Sequence, residues 1–338
     1  RCTGSVLSVI GYNLELGITK DLAVSSGESG AVILNARLFG EIINRMPQGM
    51  LRIAVDDKLI TEINGGSAQF KIVGMSAEEY PSIPKIDPEH SFTIDNALLR
   101  SMISETIFAV SQDTSFPALT GTLFEGKDGV LTLVSVDGRR LALRKEAAGC
   151  EEDFKFIVPG KTLSEFMKRS ARFTSDNEDG SLPVSIGVGA RHILFSCCGF
   201  TMISRLLDGE FIDYNASIPQ TASTKAVVST RAFAESVSRA AIIITEKVQN
   251  PICATFGDGE IKVSCETSLG KIDDSVPAEI TGNPLRIGFS DRYMLDALKA
   301  SGGDKVLLEM GATLAPIKIM PLEGDSFTFL VMPMRLKE

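Results

Sequence analysis

The chain has 338 residues, 44% of them hydrophobic, enough for two or three domains with real cores. Its 43 acidic against 34 basic residues leave a net charge of −9, which excludes a uniformly basic coat for nucleic acid. No apolar run reaches the roughly 18 residues of a spanning helix, and six cysteines with two histidines show no metal-ligand spacing.

The opening stretch, RCTGSVLSVI, has neither an initiator Met nor a signal-peptide pattern. It reads as a strand already under way, so a chain lacking its true N-terminus is expected. Five stretches then share one design: VILNARLFGEIINRM, FTIDNALLRSMISET, FIVPGKTLSEFMKRS, VVSTRAFAESVSRA and IGFSDRYMLDALKAS. In each, an extended apolar run meets a residue that starts a helix. Asn35, Asp95, Ser229 and Ser290 stand where an N-cap belongs, since their side-chain oxygens can take a free helix N–H. Pro159 holds the equivalent place in the third copy, where its fixed φ suits a helix start. Phe39, Leu99, Leu163, Phe233 and Met294 fall four places on; Ile43, Ile103, Met167, Val237 and Leu298 fall eight on. That spacing predicts one buried stripe per helix.

Alternating strands and tight turns follow each helix, as in LRIAVDDKLITEING, GVLTLVSVDGRRLALR, RHILFSCCGFTMISR and GEIKVSCETS. Asp137-Gly138 and Asp258-Gly259 predict hairpin turns. Cys197 and Cys198 are neighbours in a strand-like run, which predicts opposite faces. With Cys2, Cys150, Cys253 and Cys265 they read as buried, reduced thiols. Each unit is one helix on a few antiparallel strands, unable to cover its own sheet, so units must pair or join edge to edge. EEYPSIPKID echoes GEFIDYNASIPQT, and their Ile83-Pro84 and Ile218-Pro219 steps read as linkers. The expected class is α+β, with domains at 1–88, 89–219 and 220–338, the first lacking its opening strand and helix.

Catalytic motifs are sparse. VPGKT at 158–162 lacks the glycine a phosphate loop needs, because Lys155 stands there. CETS and SFPALTG offer hydroxyls or a thiol with no nearby histidine. No acid pair stands out, and no metal or cofactor is expected. Basic residues carry more. The five helix windows, 35–46, 95–106, 159–172, 229–240 and 290–301, carry net charges of +1, −1, +3, +1 and 0 within an acidic chain. Arg37, Lys161, Arg231 and Arg292 share the second place after the anchor; Arg45, Arg169 and Arg239 share the tenth. With Arg100, Lys168 and Lys299, they predict one positive, helix-lined surface.

The repeated helix–strand unit, LTG at 119–121, DGRRLA at 137–142 and the terminal VMPMRL at 331–336 resemble the bacterial β sliding clamp, the processivity subunit of DNA polymerase III. The resemblance implies three similar clamp domains, each of two units, forming half of a ring with helices inside and sheets outside. Geometry agrees: a helix over two strands takes about 10 Å of arc. Six units then enclose a hole of roughly 19 Å and twelve roughly 38 Å, so a head-to-tail homodimer fits a duplex whose grooves are about 8.5 Å deep. The resemblance also implies a non-catalytic, cytoplasmic, nucleoid-associated protein with no membrane partner and no ATP site, opened by a separate motor. It holds DNA topologically and without sequence preference.

The same resemblance explains the oily chain end. It implies a pocket for short peptides of the polymerase III catalytic subunit, clamp-loader subunits and repair polymerases. The implied positions are Leu119, Val136, Gly138, Arg139, Arg140, Leu141, Ile212, Ala216, Ser217, Pro316, Leu330, Met332, Pro333, Met334, Arg335 and Leu336. Flexible methionines suit a surface with many partners. Ala216, Ser217 and Val136 depart from commoner family residues. The ring contact is implied to set Phe70 and Ile72 against Ile242 and Ile243. Two readings from other classes compete: a metal-dependent nuclease or nucleotidyltransferase acting on DNA, and a scaffold without a DNA role.

Overall fold

The structure is a computed structural model that describes residues 1–25, 27–150, 152–173, 180–245 and 250–336. Its contacts divide the chain into two compact units, Arg1–Ser91 with Val184–Arg205, and Phe92–Pro183 with Leu206–Glu338. No described helix is long and apolar enough to cross a membrane.

In the first unit, one antiparallel sheet runs from Cys2–Thr3 through Val6–Tyr12, Leu16–Ala23, Phe200–Arg205 and His192–Cys197 to Pro183–Val188. Strands distant in sequence join directly, with Phe200 opposite Lys20 and Met202 opposite Ile18. This is the edge-to-edge joining that a one-helix unit requires. A second sheet of Leu51–Val55, Ile60–Gly65 and Ala68–Val73 carries helix α1 (Ala36–Arg45). Ile42, Ile63 and Ile72 form the core between them, with Leu34, Phe39, Ile43 and Met46 packed against it.

The cysteine expectation needs correction. Cys197 closes its strand, but Cys198 turns into the left-handed region at φ +50, and the two sulfurs lie 3.5 Å apart. The strand alternation that would separate them stops one residue too early.

The second unit is built on a twelve-stranded antiparallel sheet. Its order is Phe154–Pro159, Gly121–Lys127, Gly129–Val136, Arg140–Cys150, Phe327–Val331, Ile317–Met320, Lys305–Met310, Thr224–Ser229, Gly270–Gly282, Glu260–Thr267, Ile252–Gly257 and Leu285–Phe289. Again a sequence-distant pair joins two halves: Arg140–Cys150 pairs with Phe327–Val331, placing Leu141 opposite Leu330 and Ala142 opposite Phe329. Helices α2 (Asn96–Ser104), α3 (Gly160–Ser170), α4 (Thr230–Ala241) and α5 (Asp291–Ala300) belong to this unit. Helix α2 packs on α3, and α4 on α5.

The buried stripes follow the sequence pattern. Leu99, Ile103, Leu163, Phe233, Val237, Met294 and Leu298 are buried. In α1 and α3 the deepest residues are Ile42 and Phe166, seven places after the anchor, rather than Ile43 and Met167. A 3.6-residue repeat lets either place face inward. Asn35 accepts from Leu38 N–H at 3.0 Å and Ser229 from Ala232 N–H at 3.3 Å, as N-caps. Ser290 holds the cap position but makes no such bond, and Asp291 instead places a carboxylate in the first turn, where the helix dipole favours it. Asp258 and Gly259 take φ of +51° and +77°, the positive pair that a two-residue hairpin turn demands.

Asp95 does double duty. One carboxylate oxygen caps α2 at Ala97 N–H (2.8 Å) and Leu98 N–H (3.3 Å), and the other accepts from Leu182 N–H at 2.9 Å. The Leu182 bond chiefly, with the cap bonds, holds its pKa below the ordinary value against the cost of burial. A depressed carboxylate contributes stability above its unfolded pKa and loses it as pH falls through the folded one. Asp95→Ala is expected to cost about 1–2 kcal/mol in urea unfolding at neutral pH. The gap to wild type should close as pH drops below the carboxylate range, and a pH-independent gap would contradict the assignment.

Candidate functional site

Strand alternation divides the large sheet into two working faces. Ala142, Phe329 and Val331 join the core under α4 and α5, together with Phe233, Val237, Met294 and Leu298. On the opposite face, Leu123, Val134, Val136, Leu141, Leu143, Ile157 and Leu330 bury together with Phe211 and Tyr214. Ala118, Leu119, Leu207 and Ile218 pack against this second cluster. Four expected pocket residues, Leu119, Val136, Leu141 and Leu330, therefore meet in one apolar floor.

The rim is more open. Met332, the first residue after strand Phe327–Val331, is 41% exposed, and Ile212 is 40% exposed. Ala216 and Ser217 are exposed in a single helical turn, where Asp213 accepts from Asn215 N–H at 3.2 Å and Ala216 N–H at 3.4 Å. Pro316 is half-buried just before Ile317, which pairs with Val331. Gly138 and Arg139 are exposed in the hairpin turn, and Met332 N–H donates to Arg139 O at 2.9 Å. Pro333 is half-buried and Arg335 exposed.

Met334 and Leu336 are partly spent on holding the tail itself. Met334 N–H donates to Gly288 O at 2.8 Å. A Cβ on Gly288 would stand 2.6 Å from Met334 O and 2.7 Å from the Leu336 side chain, so only glycine allows this approach.

Arg140 departs from expectation. It shares the face of Ala142, not of Leu141, and is only 6% exposed. Its guanidinium bonds Asp137 at 2.9 Å and Asp296 of α5 at 2.5 Å. It also lies 5.4 Å from the Phe108 ring centroid and 4.7 Å from that of Tyr293. Asp137 in turn accepts from Arg139 N–H (2.9 Å) and Arg140 N–H (3.0 Å). Arg140 thus fixes the turn from behind instead of lining the apolar floor. The sequence offered no signal for this, because Asp296 lies 156 residues away.

Two floor residues escaped the sequence reading. Phe211 and Tyr214 lie in GEFIDYNASIPQT, taken as a linker, although their apolar spacing of three could have flagged them. The Tyr214 hydroxyl donates to Glu125, and burial, then that bond, push its pKa up, so it stays a protonated donor.

The helix cations divide into four groups. Arg45, Lys161, Arg292 and Lys299 are exposed and make no ion pair among the described residues. Arg37, Lys168, Arg169 and Arg231 are exposed beside acids of their own helices, Glu41 (3.1 Å), Glu165 (2.7 and 3.5 Å) and Glu235 (2.8 Å). Arg239 is pinned to Asp274 at 2.6 Å, which also accepts from Ser236 at 2.9 Å. Arg100 is a correction: it is half-buried and donates to Met167 O and, at 2.9 Å, to Ser170 Oγ, closing the end of α3. One guanidinium nitrogen makes both bonds, so its donors are directed to where α2 meets α3 rather than to an open surface.

Of the expected ring-contact residues, Phe70 and Ile242 are 39% and 78% exposed. Ile72 instead lies in the α1 core and Ile243 packs against the α4–α5 core, since both fall on the inward side of their elements.

Three descriptions of one family match the chain in succession: the DNA polymerase III beta subunit N-terminal domain over residues 1–84, the central domain over 93–213 and the C-terminal domain over 216–335. The chain belongs to the bacterial β sliding clamp family. The β sliding clamp of Bacillus subtilis is 32% identical over 92% of this chain and 82% of its own length. That of Halalkalibacterium halodurans is 31% identical over 95% and 84%. The solved Bacillus subtilis clamp superposes with a TM-score of 0.92 at 29% identity, covering 99% of this chain and 90% of that one. A Pseudomonas aeruginosa clamp solved with griselimycin bound gives 0.92 at 27%, with the same coverage. The family's members are non-catalytic processivity factors of DNA polymerase III, so the enzymatic reading is overturned.

Removing Arg140 strands Asp296 and Asp137 and empties the space between two rings. Arg140→Ala is expected to cost about 3 kcal/mol in chemical denaturation. Asp296→Asn should cost less, because Asp296 is 37% exposed. A double-mutant cycle showing no coupling between the two residues would remove the assignment.

Proposed function

We propose that the clamp's work is divided in this chain between the two faces of the large sheet. Partner peptides dock on the floor of Leu119, Val136, Leu141 and Leu330, with Ile212, Met332 and Pro316 at its rim. The carrying observation is Met332: a large apolar side chain, exposed at a chain end yet fixed at its backbone N–H to Arg139 O. A fixed, exposed methionine beside a buried apolar floor offers contact area without a large ordering cost. Gly138 and Arg139 present backbone at the rim, Arg139 and Arg335 supply exposed charge for the peptide's polar ends, and Met334 and Leu336 hold the tail in place. Ala216 and Ser217 make this rim small and polar.

Duplex DNA is met on the helix side of the large sheet by Lys161, Arg292 and Lys299 first, then by Lys168, Arg169 and Arg231, and on α1 of the first unit by Arg45 and Arg37; the acidic neighbours of Arg37, Lys168, Arg169 and Arg231 on the same helix dilute their charge. Such contacts reach phosphates and carry no base information, which suits a sliding ring. The ring itself is a head-to-tail homodimer in which exposed Phe70 of one copy meets exposed Ile242 of the other, each covering an apolar surface that is otherwise a liability. The domains follow at 1–88, 89–219 and 220–338, and the place of action is the cytoplasm, on the nucleoid.

Met332→Ala should weaken binding of a polymerase-derived hydrophobic peptide about tenfold, or roughly 1.4 kcal/mol, with the melting temperature unchanged. Unaltered affinity by titration would refute the docking assignment. Loaded clamp should stay on nicked circular DNA and leave once the circle is linearised. The triple variant Lys161→Glu, Arg292→Glu, Lys299→Glu should load and persist at least several-fold less well, with a shallower salt dependence. Equal retention on circular and linear DNA would count against encirclement.

A further inference from the structure

One cluster of reactive groups lies outside every surface assigned above: the adjacent thiols of Cys197 and Cys198. Strand His192–Cys197 ends at the first, and Cys198 opens a two-residue turn before Phe200–Arg205. Cys198 and Gly199 take φ of +50° and +68°. Positive φ at both central residues marks a type I′ hairpin turn, whose first place normally takes Asn, Asp or Gly. Cysteine there gains none of the local hydrogen bonding that excuses Asn or Asp in this conformation. What it gains is a neighbour: the Cys197 thiol donates to Cys198 Sγ at 3.5 Å.

The turn is held from outside. Asp21 N–H donates to Gly199 O at 2.9 Å, and the Lys20 ammonium donates to Cys198 O at 2.5 Å. Both residues belong to the adjoining strand Leu16–Ala23, so the two sulfurs stay together without relying on the turn alone. Their exposure is asymmetric. Cys198 is exposed and Cys197 buried. A reagent in solution meets the outer thiol first, and the inner one lies beside it. Among the described residues no group of three or more His, Cys, Asp or Glu forms a metal site, which favours redox chemistry over chelation.

We propose that Cys197 and Cys198 form a reversible two-electron oxidation site for hydroperoxides, in which Cys198 is attacked and Cys197 resolves it. The Cys198 thiolate attacks the terminal peroxide oxygen; the O–O bond breaks, Cys198 becomes a sulfenic acid, and the other oxygen leaves with its substituent as an alcohol, or as water from hydrogen peroxide, after taking a proton. The Cys197 sulfur then attacks Cys198 Sγ; the S–O bond breaks, the hydroxyl leaves as water with the Cys197 proton, and an S–S bond joins the pair. The peroxide gains two electrons and the two thiols lose them. Consecutive Cα atoms are about 3.8 Å apart, closer than the roughly 4.4–6.8 Å of ordinary disulfides. A bond strained in this way is readily reduced, so cellular thiols restore the pair, and resolution stops Cys198 short of irreversible sulfinic acid.

The test uses the full chain treated with a few equivalents of hydrogen peroxide, alkylated, cut with trypsin and read by mass spectrometry. The peptide 192–205 should lose two hydrogens, regain them with dithiothreitol, and change before Cys253 and Cys265 do. In Cys197→Ser, Cys198 should be trapped by dimedone as sulfenic acid and pass to sulfinic acid at least tenfold faster than in wild type. Cys198→Ser, at an exposed turn position, should leave Cys197 a thiol at the same dose. Sulfinic acid forming in wild type as fast as in Cys197→Ser, both thiols surviving while Cys253 and Cys265 oxidise, or Cys197 oxidising in Cys198→Ser would each overturn the proposal.

Discussion

The register between strands Arg140–Cys150 and Phe327–Val331 is the constraint on which the rest of the large unit depends. It sets Leu141 opposite Leu330 and Ala142 opposite Phe329. Because side chains alternate, that one choice sends Leu141 and Leu330 to the outer cluster and Ala142 and Phe329 to the helix-side core. Slipping by a single residue would exchange the two sets. Small Ala142 would then stand on the docking floor, and Arg140 would lose Asp296. Burying Leu141 and Leu330 contributes on the order of 2 kcal/mol each, so the register is strongly specified.

Arg140 ties that register to the helices. Its partners come from the hairpin turn (Asp137), the segment after α2 (Phe108) and α5 (Tyr293 and Asp296). The turn presenting Arg139 O to the tail is thereby braced by a helix on the other side of the sheet. The surfaces proposed for partner peptides and for DNA thus share a mechanical support, although no residue belongs to both. The acid excess of the chain is compatible with the proposed DNA surface, because Lys161, Arg292 and Lys299, exposed and without an ion pair among the described residues, need only local positive charge.

The helices were legible in the sequence because a 3.6-residue stripe and an N-cap are local signals. Asn35, Asp95 and Ser229 announced themselves, as did the stripes through Leu99, Phe233 and Met294. That Leu119, Val136, Leu141 and Leu330 would gather in one apolar cluster was legible through the family resemblance of DGRRLA and VMPMRL, not through periodicity. What escaped was pairing over long sequence distance. Nothing near Arg140 indicates Asp296, and nothing near Arg100 indicates the end of α3. Phe211 and Tyr214 were hidden in a stretch whose proline drew attention first. Cys197 and Cys198 were misread because alternation was carried one residue past the strand's end, into a backbone conformation unusual for cysteine.

The bare backbone of Gly288 makes the chain end a latch with its own keyhole. Any added carbon there collides with Met334 O and the Leu336 side chain, so the last residues could no longer lie along strand Leu285–Phe289. The tail segment from Met334 to Leu336 is thus tethered by a position far upstream in the chain, and mutations at these two distant places are coupled in what they can tolerate.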